Sequence, residues 1–147
     1  MSNATPANFA AGKQYAATLV RSERITPPTS TEEVRHLVFR RDDLSFSCKT
    51  GQCVRVMAPG QYGNKYHPRL YLVADNDVER DGGVEFAICV KRHSYIDDFN
   101  GERYQGIASN YLCDLPVGAA VEFTGPFGYP FEVPANRKAG ILMIGMG

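Results

Sequence analysis

Three short segments carry residues whose type and spacing suit the binding of a phosphorylated, flat-ringed ligand. In Arg69-Leu70-Tyr71 a guanidinium and a phenol lie two residues apart. On a strand that spacing puts both on one face, a phosphate anchor beside a stacking surface. In Gly106-Ile107-Ala108-Ser109-Asn110 a glycine loop opens a helix. The unpaired N–H groups of such a start point outward with partial positive charge, which suits a pyrophosphate. In Cys89-Val90-Lys91-Arg92-His93-Ser94-Tyr95 the basic pair could hold phosphate or ribose, and Tyr95 could stack on a base. Each segment alone also has a plainer reading: a surface arginine beside a packed tyrosine, a loop with a serine cap, and a solvated basic pair.

The elements that would position these segments are mostly strands. Tyr15 to Arg24, Val34 to Phe39, Gln52 to Met57, Leu70 to Ala74, Val84 to Lys91 and Ala120 to Thr124 are short runs rich in β-branched, apolar and aromatic residues. Ala58 to Pro68, with two glycines and two prolines, reads as a loop. Arg41-Asp42-Asp43 and Asp81-Gly82-Gly83 read as turns. Ser109 to Leu115 reads as one short helix, with Ser109 as N-cap and Pro116 and Gly118 ending it. Six short strands and one helix predict an all-β fold, a small antiparallel barrel. Ile141 to Ile144, running into Gly145-Met146-Gly147, does not fit that pattern. An apolar strand followed by Gly-x-Gly is how a parallel α/β nucleotide-binding domain starts.

The 147 residues suffice for one domain with a real core. Sixteen basic residues balance sixteen acidic ones, so bulk charge offers no reason to expect nucleic acid or an anionic membrane as partner. No apolar run approaches the roughly 20 residues of a membrane span, and no signal-peptide pattern opens the chain, so the reading is cytoplasmic. Cys48, Cys53, Cys89 and Cys113 include no C-x-x-C pair, and no histidine cluster completes a metal site. Four reduced thiols and no metal are expected. Met1 to Gly12 is small and polar, and is expected to be mobile.

Taken in order, the segments resemble a known family, the FAD-binding domain of the plant-type ferredoxin–NADP reductase superfamily. The resemblance runs from about Glu33 to the last residue. It rests on Val34-Arg35-His36-Leu37-Val38-Phe39, Gly51-Gln52, Arg69-Leu70-Tyr71, Cys89-Val90-Lys91-Arg92, Gly106 through Leu115, and Gly125-Pro126-Phe127-Gly128. It implies a six-stranded antiparallel Greek-key barrel with a helix at the pyrophosphate site. Arg69 would bind FAD phosphate, Tyr71 would stack on the isoalloxazine and Tyr95 on the adenine. Cys89, Val90 and Lys91 would line the cofactor, and Gly106, Ile107, Ala108 and Ser109 would hold the pyrophosphate. Leu70 and Leu72 complete the strand segment assigned to the cofactor site.

Two positions depart from the family's pattern. Leu72 stands where the family has a serine whose hydroxyl reaches the flavin N5, and Ala108 stands where the ferredoxin reductases commonly have cysteine. Both fall on the hydride-transfer side, so no residue is assigned a catalytic role. The expected organisation is a flexible segment over 1–13, an FAD-binding barrel over 14–138, and over 139–147 the first strand of a truncated α/β nicotinamide domain. The parent would use FAD and NAD(P)H and pass electrons to a carrier protein or iron–sulfur module, while the fragment alone would turn over pyridine nucleotides poorly. The apolar terminal strand from Ile141 is expected to be either disordered or paired with a neighbouring chain. The alternative is a barrel that keeps the fold as a binding module without flavin.

Overall fold

A computed structural model describes residues 13–42, 45–76 and 82–145. Eight strands and one helix follow in chain order: β1 (Gln14–Arg24), β2 (Val34–Arg41), β3 (Cys53–Pro59), β4 (Tyr66–Asp75), β5 (Val84–Lys91), β6 (Ser94–Ile96), β7 (Arg103–Gln105), α1 (Ile107–Asp114) and β8 (Ala120–Phe127). Six of the strands close into an antiparallel barrel in the order β1-β2-β5-β4-β3-β8. β2 pairs with β5 along its whole length, from Val34 opposite Lys91 to Arg41 opposite Val84. The chain therefore skips two strands before returning, as a Greek key does.

Alternation along the strands builds the core. Leu19, Leu37, Val54, Val56, Ile88, Val90 and Val121 point inward and are buried. Phe39, Phe46, Phe86 and Phe123 form an aromatic cluster within it, with the rings of Phe46 and Phe123 edge to face at 4.8 Å. Phe46 comes from the β2–β3 connection and has 1% of its surface exposed, so it plugs the barrel like a stopper.

The seam between β4 and β5 is short. Val73 pairs with Ile88 and Asp75 with Ala87, and the strands diverge beyond Val73. α1 packs into the opening against β3, β4 and β5. Its Leu112 and Cys113 are buried there, and the Cys113 thiol lies 3.9 Å from the Val90 carbonyl, on a stretch of β5 with no β4 partner. Arg69 and Tyr71 stand on the diverging end of β4, so the opening that admits the helix also exposes them to a cavity.

Several boundaries differ from the sequence reading. β3 and β4 run well into the stretch expected as a loop over Ala58 to Pro68, with Met57 opposite Pro68 and Pro59 opposite Tyr66. Pro68 is tolerated because β4 has no β5 partner at that end, where an N–H would be needed. The helix starts at Ile107 with Gly106 as N-cap, so Ser109 is inside the first turn and is not the cap. β6 and β7 were not foreseen, because three-residue strands without apolar alternation give no periodic signal. Their turn is fixed by Asp97, whose Oδ1 accepts from the N–H groups of Phe99 (2.8 Å) and Asn100 (3.2 Å). Ile141–Ile144 is exposed and forms no strand, since the closed barrel offers no edge to pair with. Met1 to Gly12, Asp43, Asp81, Met146 and Gly147 lie outside the described residues.

Candidate functional site

The diverging end of β4, the end of β5, the β6–β7 hairpin and the start of α1 enclose a cavity of about 610 Å³. That lies within the 300–1,000 Å³ typical of ligand sites. Arg69 and Tyr71 reach it from alternate positions of β4, together with His67 one step earlier on the same face. Lys91 enters from β5, Tyr95 and Tyr104 from the hairpin, and Gly106, Ile107, Ala108 and Ser109 from the helix start. Gln61 and Tyr62 of the β3–β4 turn stand at its rim.

The walls are cationic and aromatic. Arg69 and Lys91 line the cavity and, among the described residues, no aspartate or glutamate does. The only hydrogen bond of the Arg69 guanidinium among the described residues is to the neighbouring Pro68 carbonyl, at 3.0 Å. Lys91 pairs with Glu32 at 2.8 Å on the open surface. Burial, then the charge of Arg69, pushes the His67 imidazole below its ordinary pKa. Burial likewise raises the Tyr71 phenol, with Cys113 adding to it, so this ring is neutral. Across the hairpin the Tyr95 and Tyr104 rings stack at 5.6 Å and 22°, and His93 stacks on Tyr95 at 6.5 Å and 25°.

The helix start is locked to the base of the hairpin. Gly106 N–H donates to the His93 carbonyl at 2.9 Å, and His93 N–H donates to Ser109 Oγ at 3.1 Å. A Cβ at Gly106 would lie 2.9 Å from Ser109 Oγ and 3.3 Å from the His93 carbonyl, so any side chain here must push aside the hydroxyl that completes this stitch. The first helical bond runs from Asn110 N–H to the Gly106 carbonyl, at 3.2 Å. The amides of Ile107, Ala108 and Ser109 precede it and have no acceptor within the helix. A guanidinium, a helix start and stacked phenol rings around one carboxylate-free cavity fit a dinucleotide with a diphosphate bridge.

Known proteins decide which one. Residues 17–131 match the family model of the oxidoreductase FAD-binding domain. The chain belongs to that family. This FAD-binding domain is 34% identical over 136 residues to the chloroplastic ferredoxin–NADP reductase of Spinacia oleracea, covering 90% of the chain and 36% of that protein. It is also 34% identical over 145 residues to the chloroplastic root-type isozyme of Nicotiana tabacum, covering 90% of the chain and 38% of the relative. Among solved structures, its fold matches ferredoxin–NADP+ reductase from Plasmodium falciparum with 2'P-AMP, with a TM-score of 0.63 and 21% identity over 84% of this chain and 42% of that one. The chain thus spans well under half the length of the curated relatives it matches.

Of the residues singled out in the sequence, Arg69, Tyr71, Lys91, Tyr95, Gly106, Ile107, Ala108 and Ser109 come together in this domain's cavity. The side chains of Leu70, Leu72, Cys89 and Val90 do not line it. Leu70 and Leu72 point to the opposite face of β4 and are exposed, and Val90 is sealed in the core. Cys89 alternates with Val90, opposite His36 on the outer face of the barrel. Arg92, expected near phosphate or ribose, is occupied elsewhere: it donates to Glu33 (2.8 Å), Asn110 (2.9 Å) and Asp114 (2.7 Å). That bracket ties α1 to the barrel. Hydrogen bonds from Arg92 and Arg35 hold the Glu33 carboxyl down to a pKa of about 2.

Gln61, Tyr62, His67, Tyr104 and Gln105 also line the cavity and went unnoticed in the sequence. His67 was findable, since it precedes Arg69 by two on one strand. Tyr104 was not, because its place depends on a hairpin that the sequence does not announce.

All four cysteines are free, with Cys48 and Cys113 buried, Cys53 partly buried and Cys89 exposed. Among the described residues no group of histidine, cysteine or acidic side chains could hold a metal, and no helix is long and apolar enough to cross a membrane.

Proposed function

We propose that this domain holds FAD in the 610 Å³ cavity and serves an oxidoreductase that moves electrons between NAD(P)H and a one-electron carrier or partner domain. The observation that carries the reading is the convergence of Arg69, Tyr71, Tyr95 and the three amides opening α1 on one space without a carboxylate. Bound FAD would supply the exchange between two-electron and one-electron chemistry. Arg69 and the helix start would bind the diphosphate, each by charge-assisted hydrogen bonds. Tyr71, half-buried against the core, would fix the plane of the isoalloxazine. Tyr95, backed by Tyr104, would carry the adenine.

Relatives named ferredoxin–NADP reductases support the choice of NADP(H) and of an electron-carrier protein as partners of the full-length enzyme. Residues 14–138 would form the cofactor barrel, with 1–13 a flexible lead and 139–147 the start of the nicotinamide domain. The exposed run Ile141–Ile144 supports that last assignment, because four apolar residues in a row need a sheet or a neighbouring chain to cover them. Four free thiols suit a reducing compartment such as the cytoplasm.

Titration of the purified chain with FAD tests the reading. Saturable quenching of tyrosine fluorescence, together with a perturbed flavin absorbance band, is expected. A colourless protein with no quenching would remove it.

A further inference from the structure

The β6–β7 hairpin has two faces. Tyr95 and Tyr104, paired across it, line the flavin-side cavity. Ser94 and Arg103 line a second cavity of about 250 Å³, with Arg24, Ser30 and Thr31 of the β1–β2 corner opposite. Gln105 borders both spaces, so the hairpin is their common wall.

The second cavity is short of negative charge. Arg24 is held rigidly, donating to Thr26 Oγ1 (3.1 Å) and to the Ser30 carbonyl (2.9 Å), but it has no carboxylate partner among the described residues. Arg103 has no carboxylate partner among them either, and no hydrogen-bond acceptor for its guanidinium. Glu33 also borders the cavity, but its charge is shared between Arg35 (2.6 Å) and Arg92 (2.8 Å). Arg92 is further matched by Asp114 at 2.7 Å. Three guanidinium groups, those of Arg24, Arg92 and Arg103, thus face one carboxylate, Glu33, around one concave space bordered by Ser30, Thr31 and Ser94. Two uncompensated cations at one cavity repel each other, and a bound anion would remove that cost. A phosphate group fits the donors: planar guanidinium groups bind its oxygens in pairs, and hydroxyls complete the shell.

We propose that this cavity behind the hairpin is a second anion site, which binds the phosphate group of a small ligand, either free phosphate or a phosphomonoester. Arg103 supplies the capturing charge, and Arg24 supplies a fixed one. The site is separate from the flavin cavity and does not depend on the flavin assignment.

The test is amide NMR on the full chain in phosphate-free buffer. Inorganic phosphate and ribose 5-phosphate are titrated in parallel, with sodium chloride of equal ionic strength as control. Saturable shifts at Ser94, Arg103 and Gln105 are expected, weakened about tenfold or more in Arg103→Gln and restored only in part in Arg103→Lys, which keeps the charge but not the paired donors. They should persist in Arg69→Ala, while FAD affinity is unchanged in Arg103→Gln. The two titrants distinguish the sources: tighter binding of the ester assigns the site to a phosphomonoester, and equal or tighter binding of phosphate assigns it to the free ion. Shifts confined to Gly106–Ser109 and lost in Arg69→Ala would place the phosphate in the flavin cavity and overturn the proposal. So would shifts matched by chloride, or binding unaffected by Arg103→Gln.

Discussion

The rings of Tyr95 and Tyr104 stack across the β6–β7 hairpin with their centroids 5.6 Å apart and their planes 22° from parallel. The pair stands directly opposed in the strand register, so each ring restricts the other. Removing Tyr104 should free Tyr95 to turn away from the cavity. Tyr104→Ala is expected to weaken FAD binding by about 0.5–1.5 kcal/mol, the usual worth of an aromatic pair. Tyr104→Phe should keep the wild-type affinity, and FMN, which lacks the adenine half, should bind both variants and wild type alike. Parallel FAD and FMN titrations check this.

The bracket of Arg35 and Arg92 around Glu33 should make the fold acid-sensitive. A carboxyl whose folded pKa is about 2, against an ordinary 4.5, stabilises the protein above 4.5 and loses that contribution as pH falls through 4.5 towards 2. Glu33→Gln is expected to cost about 1–2 kcal/mol at neutral pH, since it leaves two partly buried guanidinium groups short of a counter-charge. The variant's stability should also change less between pH 5 and pH 3 than that of the wild type, as chemical denaturation at the two values (about 5 and about 3) would reveal.

Gly106 should resist substitution for reasons of space, since its backbone φ of −61° is open to any residue. An alanine methyl would displace the Ser109 hydroxyl that receives the His93 N–H. Gly106→Ala should cost about 1 kcal/mol in stability. It should also weaken FAD binding by tilting the amides that open α1. Ser109→Ala, which removes the same hydroxyl without adding bulk at 106, should reproduce the stability loss with a smaller effect on FAD.

Thiol chemistry should follow burial. Burial pushes the Cys48 thiol up to about 12 and also raises Cys113 and Cys89, but of these three only Cys89 is exposed, on the outer face of β5. A thiol-specific reagent should label Cys89 first and reach Cys48 only on unfolding, a sequence that mass spectrometry of timed samples would show.

The barrel was legible in the sequence because its strands are short β-branched and aromatic runs bounded by turns: Val34–Arg41 and Val84–Lys91 send Leu37, Phe39, Phe86, Ile88 and Val90 into the core and pair along their full length. The cavity's central residues were legible for the same reason, since Arg69 and Tyr71 must share a face once they share a strand. What escaped depends on tertiary context. Leu70, Leu72, Cys89 and Val90 belong to the right segments, but the pleat turns their side chains elsewhere. Arg92 looked like a phosphate ligand until Glu33 and Asp114, distant in sequence, were found on either side of it. Pro68 read as a loop residue because nothing local shows that β4 and β5 part company there. Ile141–Ile144 has strand composition, yet composition cannot supply a strand to pair with.

The central claim, that Arg69 anchors the diphosphate of FAD in this cavity, is tested most directly by the FAD dissociation constant of Arg69→Ala against the wild type, measured by equilibrium titration at fixed salt. The expected loss is about 1.5–3 kcal/mol, or roughly ten- to 150-fold, with the fold unchanged by circular dichroism. An Arg69→Ala protein that binds FAD as tightly as the wild type would contradict it.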